Sequence, residues 1–255
     1  MPDLLLRLDE DDGERARPPA PEDQALALLQ RADITAARLI PWGSNYTFGV
    51  ALIDEDGSEY LAIYKPRAGE APLYDFPDGT LFRREVAAYV VSHHLGWDIV
   101  PPTVIREGPN GIGSLQLYVE PDTDASDPSR FWSQCLPAIE RIVLFDHLTN
   151  NADRKLGHCL RDIRGKIWGI DHGLTFNTFP KLRTVLWQFV GDPISPALLS
   201  DLERLHETAP ELRAELAPLL SRAEINAFFT RASTLSQHGV YPQLHGRRNV
   251  PWGWW

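Results

Sequence analysis

Asp153 and Asp171 each stand in a short polar loop beside a strand-like run, and the hairpin between them carries His158. An apolar, helix-like run ends in Asn150-Asn151-Ala152-Asp153-Arg154-Lys155. A charged turn then spans Asp162 to Lys166, and the strand-like Ile167-Trp168-Gly169-Ile170 delivers Asp171, followed by His172 and Gly173. Two carboxylates set out in this way form a recurrent device for holding a divalent ion against phosphate oxygens. Such chemistry needs a phosphate donor, so the remaining elements have to build a nucleotide site around these loops.

The first part of the chain reads as strands behind a short helix. Ala25, Leu28 and Leu29 at helical spacing predict that helix over 21–32, as a cap on the strands. Ile34 to Ile40, Tyr46 to Ile53 and Glu59 to Tyr64 are successive strands; Pro41-Trp42-Gly43-Ser44-Asn45 and Asp54-Glu55-Asp56-Gly57 are the turns between them. Gly57 falls where a hairpin turn asks for a positive φ. The third strand delivers Lys65, and a loop with Gly69, Pro72, Pro77 and Gly79 leads to a helix over 81–95, stopped by Gly96. On that helix Val86, Tyr89, Val90 and Leu95 form an apolar stripe, with Glu85 facing elsewhere. Two more strands, 99–107 and 113–119, flank the turn Pro109-Asn110-Gly111. Beyond Glu120 the composition shifts through a polar stretch to helices at 131–148, 195–207, 209–219 and 222–236. The expected organisation is an acidic, flexible tail (1–20), a sheet-rich N-lobe (21–120), a mostly helical C-lobe (121–240) and a tryptophan-rich tail (241–255). Three tryptophans in Val250-Pro251-Trp252-Gly253-Trp254-Trp255 are expected to pack on the body or on a protein partner.

Taken singly, each candidate has a bland reading. Lys65 is a solvated strand end, Glu85 a solvated helix residue, Gly43-Ser44-Asn45 a turn, His158 a packed or exposed histidine, and Asp171 a turn former. Their order carries the argument. A strand–turn–strand with glycine, a lysine on the next strand and a glutamate on the next helix precede a strand leading to a linker. An aspartate loop and a strand ending in Asp-x-Gly follow. That is the ordered part list of a phosphotransferase built like a kinase. Backbone N–H groups of a tight turn cover phosphates, and a lysine held by a buried glutamate neutralises them.

On these motifs the chain resembles the phosphatidylinositol 3-/4-kinase-like group, with motif wording similar to the type II phosphatidylinositol 4-kinases and to an actinobacterial kinase-like group. The resembling segments are Tyr64-Lys65-Pro66, Arg84-Glu85-Val86-Ala87-Ala88-Tyr89, Val100-Pro101-Pro102-Thr103, Gly113 to Val119, Asn151-Ala152-Asp153-Arg154 and Ile170-Asp171-His172-Gly173-Leu174. The resemblance implies an α+β, bilobal, protein-kinase-like fold that uses ATP with Mg2+ or Mn2+. It implies that Lys65 binds the nucleotide phosphates, that Glu85 is its helix partner, and that Ser44 and Asn45 lie in the phosphate-covering turn. Val119, with Leu117, offers backbone groups to adenine. Asp153 is the catalytic aspartate beside the acceptor hydroxyl, and Asp171 holds the metal. One position departs from the family pattern. Five residues after Asp153, where the family places a magnesium-binding asparagine, stands His158. Imidazole suits manganese or zinc better than magnesium. Phosphorylation with altered metal preference, another use of ATP such as nucleotidyl transfer, and nucleotide binding without turnover all remain open.

Composition excludes several other classes. A net charge of −10 and the absence of any basic run argue against nucleic acid and against docking on anionic membrane. No apolar run approaches the length of a membrane span, and the N-terminus is too acidic for a secretory signal, so a cytoplasmic location is expected. Cys135 and Cys159 are expected as reduced, buried thiols. The loop after Lys65 is acidic and has no cysteine, which weakens the case for a phosphoinositide and leaves a protein hydroxyl, a soluble small molecule and a lipid open as acceptor. A metal-dependent hydrolase built on Asp153, His158 and Asp171 leaves Lys65 and Glu85 without a purpose.

Overall fold

A computed structural model describes residues 22–41, 45–122, 136–246 and 248–251. Ser44, Cys135, the acidic N-terminal tail and Trp252, Trp254 and Trp255 therefore lie outside the described residues. Helix α1 (Glu22–Arg31) precedes strands β1 (Asp33–Ile40), β2 (Thr47–Ile53) and β3 (Glu59–Pro66). Helix α2 (Leu81–His94) follows, then β4 (Thr103–Gly108) and β5 (Gly111–Leu117). The second half holds α3 (Leu136–Thr149), the short strands β6 (Cys159–Arg161) and β7 (Ile167–Gly169), and helices α4 (Pro196–Glu207), α5 (Ala209–Leu216) and α6 (Arg222–His238).

The five strands form one antiparallel sheet in the order β1-β2-β3-β5-β4. Period-2 alternation turns Val50 and Leu52 of β2, Ala62 and Tyr64 of β3, and Leu115 and Leu117 of β5 to one face. Ala25, Leu28 and Leu29 of α1 cover that face, so the helix expected as a cap is part of the sheet's own core. Gly57 takes φ 80° in the β2–β3 turn, as a hairpin with a left-handed position requires. Where β5 passes the end of β3, a Cβ on Gly113 would collide with the Lys65 carbonyl and lie 2.7 Å from the Pro66 Cα. Glycine there lets β5 close on the strand that carries Lys65.

Helix α2 departs from the one-stripe expectation. Ten of its fourteen residues are buried, including Arg84 and Glu85. The reason is a second neighbour: Ala87, Ala88, Val91 and the following Leu95 belong to the same apolar core as Ile139, Ile142 and Phe145 of α3 and Phe228 of α6. A helix packed between a sheet and a helical body has no wide solvent face, and its alanines allow the close approach. Gly96, at φ 68°, ends it. In the C-terminal half, Ser221 and Glu224 form a reciprocal capping box at the start of α6. The β6–β7 hairpin is organised by Asp162, whose carboxylate accepts from the Arg164 and Lys166 N–H groups and from Trp168 Nε1, each at 2.9 Å. Cys159 is a free, buried thiol whose pKa burial pushes up to about 12. Among the described residues no helix is long and apolar enough to cross a membrane.

Candidate active site

The end of β3, the N-terminal part of α2 and the loop after β7 converge on one point. Lys65 Nζ makes an ion pair with Glu85 Oε1 and lies 2.9 Å from Asp171 Oδ1. Glu85 is 2% exposed, and both of its oxygens are engaged. The second, Oε2, accepts the backbone N–H of His172 at 2.9 Å. Burial opposes the Lys65 charge, but the Asp171 and Glu85 carboxylates outweigh it and hold the ammonium above its ordinary range. Burial pushes the Glu85 carboxyl up, against the pull of Lys65. The Lys65 ammonium holds Asp171 well below the usual carboxylate range. Asp171 remains 47% exposed and faces solvent in the cleft.

Asp171 takes φ 61°, a left-handed conformation that aspartate tolerates at a cost. The loop is held in it from several sides: by Glu85 on the next N–H, and by Thr175 Oγ1, which donates to the His172 carbonyl at 2.6 Å. At Gly173 a Cβ would meet Glu85 Oε1 at 3.4 Å, so the third residue of Asp-His-Gly sits against the glutamate of α2.

His158 joins this group. Its Nε2 lies 3.3 Å from Asp171 Oδ2, while its buried Nδ1 has no hydrogen-bond partner among the described residues. Burial lowers the His158 pKa, which favours the neutral imidazole. As the Nδ1–H tautomer, Nε2 would turn its lone pair to an ion held between it and the Asp171 carboxylate.

Asp153 belongs to the adjoining loop, which hangs from a buried ion pair. Arg154 is fully buried and makes a two-pronged contact with Asp146 of α3, Nε to Oδ2 at 2.8 Å and Nη2 to Oδ1 at 2.9 Å. Its Nη1 donates to the carbonyls of His158 and Ile170, both at 3.0 Å, and Nη2 lies 2.8 Å from His172 Nε2. One guanidinium thus ties the Asp153 loop to the hairpin and to the strand that ends on Asp171. Asn151 Nδ2 donates to Asp146 Oδ1, and its Oδ1 accepts the Asp153 N–H, each at 2.9 Å. Burial raises the Asp153 pKa, opposed by the Lys155 ammonium 2.9 Å from Oδ2.

The remaining expected residues stand apart from this cluster. Asn45 Oδ1 accepts the Ala71 N–H at 2.7 Å and braces the loop after β3. Leu117 closes β5, with its N–H on the Pro102 carbonyl at 2.9 Å. Val119 is half-buried, two residues past the strand. Three contributors have no expectation behind them. Lys155 could have been read from its place two residues after Asp153. His172, neutral and buried against Phe145 with the ring centroids 5.4 Å apart, gives no signal in one sequence. Arg84 looks like any helix cation until its burial is known. A cavity of about 420 Å3 at the tip of the β4–β5 hairpin, lined by Arg67, Asp78 and Asn110, includes none of these site residues.

No known protein-family profile matches the chain. Protein Rv2133c of Mycobacterium tuberculosis is 39% identical over a gapped alignment of length 267, which covers 90% of this chain and 95% of that protein. Among solved structures, a Golgi casein kinase with Mn/ADP bound superposes with a TM-score of 0.54 at 15% identity, covering 85% of this chain and 75% of that one. A hydra Fam20 with sugar superposes with a TM-score of 0.57 at 14% identity, covering 84% and 87%. The fold is α+β, bilobal and kinase-like: an antiparallel sheet and a helical body with the lysine, glutamate and aspartates at their junction.

Proposed function

We propose a phosphotransferase function for this chain, which belongs to the same family as Protein Rv2133c of Mycobacterium tuberculosis. It transfers the γ-phosphoryl group of ATP to a hydroxyl of a protein or small molecule. The observation that carries this reading is the convergence of the Glu85 and Asp171 carboxylates on the Lys65 ammonium, with Asp153 in the loop tied to them by Arg154. The type II phosphatidylinositol 4-kinase-like motifs support the same assignment, and the acidic loop after Lys65 favours an acceptor other than a phosphoinositide.

Each residue has a physical task. Lys65, oriented by Glu85, neutralises the α/β-phosphates. Asp153 receives the acceptor hydroxyl, orients its oxygen towards the γ-phosphorus and takes the proton as the bond to the β-phosphate oxygen breaks. Burial raises the proton affinity of Asp153, as suits a proton acceptor, and the Lys155 ammonium 2.9 Å from its Oδ2 opposes that rise. Asp171 and His158 would hold a divalent ion. Among the described residues no group of three or more His, Cys, Asp or Glu side chains could hold a metal, so phosphate oxygens and water would complete the shell. A carboxylate beside an imidazole favours Mn2+ over Mg2+, and the ion would supply charge neutralisation at the phosphates. The Golgi casein kinase structure holds Mn and ADP, in accord with this use of nucleotide and metal.

A second reading rests on the Lys65–Asp171 contact and on His158, which together suit a nucleotide sensor without turnover. Incubation with γ-labelled ATP and Mg2+ or Mn2+ separates the two. Wild-type turnover that falls by about 10²-fold or more in Asp153→Ala supports transfer. Stabilisation by nucleotide without turnover supports the sensor, and no response to any nucleotide with either metal excludes both.

A further inference from the structure

Arg84, beside Glu85 on α2, is 1% exposed, among the largest fully buried side chains of the protein. It reaches out of the small lobe to two places in the large one. Nη2 makes an ion pair with Glu224 Oε1 at the start of α6, and Nη1 donates to the Thr175 carbonyl at 2.7 Å. Its guanidinium lies 5.0 Å from the centroid of the Phe76 ring. The Glu224 carboxylate is already fixed: Oε2 accepts from the Ser221 N–H at 2.8 Å and Oγ at 2.7 Å. The guanidinium therefore docks on an anchored acceptor, a geometry in which a buried ion pair specifies position.

Two consecutive residues of α2 thus grip one loop. Glu85 holds the His172 N–H at one end, Arg84 holds the Thr175 carbonyl at the other, and Thr175 Oγ1 closes the segment on the His172 carbonyl. At the first of these grips stands Asp171–His172, with Asp171 in its left-handed conformation. We propose that Arg84 is a positioning residue: its strut to Glu224 and Thr175 sets α2 against the Asp171 loop, and so sets the Lys65–Glu85–Asp171 constellation. The fold itself assembles the site, with α2 fixed by the large lobe. The shared core of α2 with α3 and α6 agrees with such a fixed placement. The functional consequence rests on the phosphotransferase reading; the positional one does not.

The test pairs Arg84→Met/Glu224→Leu, which removes both charges and leaves apolar volume, with Arg84→Lys, which keeps the charge but loses the forked donor. Amide hydrogen exchange at residues 171–175 is read first, without nucleotide, then Mn-ATP affinity and the KM-against-kcat split. The expected result is at least tenfold faster exchange at 171–175 in the double variant, and about tenfold weaker nucleotide affinity with a smaller change in kcat. Arg84→Lys should fall between it and wild type. Should the double variant not fold, Arg84→Lys alone carries the comparison. Unchanged exchange at 171–175 in a folded variant overturns the proposal. A wild type that binds no nucleotide defeats the phosphotransferase reading and leaves the exchange result to judge the strut.

Discussion

At the scale of single residues, the group beside Asp171 that most bears on the proposed chemistry is the imidazole of His158. His158 is neutral because burial disfavours its charged form, and it turns Nε2 to Asp171 at 3.3 Å while Nδ1 has no partner among the described residues. On the proposed phosphotransferase reading, a softer ligand beside Asp171 should set metal preference while leaving the Asp153–Lys155 pair unaltered. His158→Asn should therefore shift the Mg2+:Mn2+ activity ratio towards magnesium by on the order of tenfold, with the fold unchanged. Parallel metal titrations of wild type and variant check this, and an identical profile removes His158 from the coordination shell.

At the scale of elements, the position of Lys65 depends on how closely β5 can lie against β3. Gly113 pairs with Pro66, and the next residue, Ser114, pairs with Lys65. No Cβ fits between the strands at Gly113, because its two nearest obstacles are backbone atoms of β3, which cannot rotate away, and the buried Tyr64 ring is the third. Gly113→Ala should cost roughly 1–3 kcal/mol of stability by overpacking. It should also weaken nucleotide-dependent stabilisation, since the strand that must shift is the one that carries the lysine. Thermal unfolding with and without nucleotide reads both effects, and an unchanged melting temperature would show that the strands part without cost.

At the scale of the whole molecule, the core keeps histidines neutral. His147 on α3 packs its ring 5.8 Å from that of Tyr241, and burial lowers its pKa to about 4. In the unfolded chain the same group titrates near 6.5. Between these values the unfolded state binds more protons, so stability falls as pH drops from about 6.5 to 4 and the loss levels off below. For one group over this window the loss is on the order of 3 kcal/mol. His172, also buried and shifted down, adds to it in the same direction. His147→Phe keeps the ring and removes the proton site, so its stability should depend less steeply on pH between 6.5 and 4. Denaturant titrations across that range measure the slope, and an equal slope for wild type and variant would contradict the account.

The part list was legible in the chain because strands, turns and helices announce themselves locally. Alternation marked β2 and β3, Asp-Gly marked the turn at Gly57, and the order of Lys65, Glu85, Asp153 and Asp171 followed from those elements. Only tertiary structure decided which side chains meet. Lys65 and Asp171 are 106 residues apart and Arg84 and Glu224 140 apart, and no local periodicity encodes such pairings. For the same reason the burial of α2 on nearly all sides escaped its own sequence pattern. A helix of alanines, valines and paired charges reads as amphipathic until a second body packs on its polar face and pairs the charges there. The sequence determined the chemistry available at each position, while long-range packing decided that Glu85 faces Lys65, that Arg84 spans the lobes, and that His158 reaches Asp171.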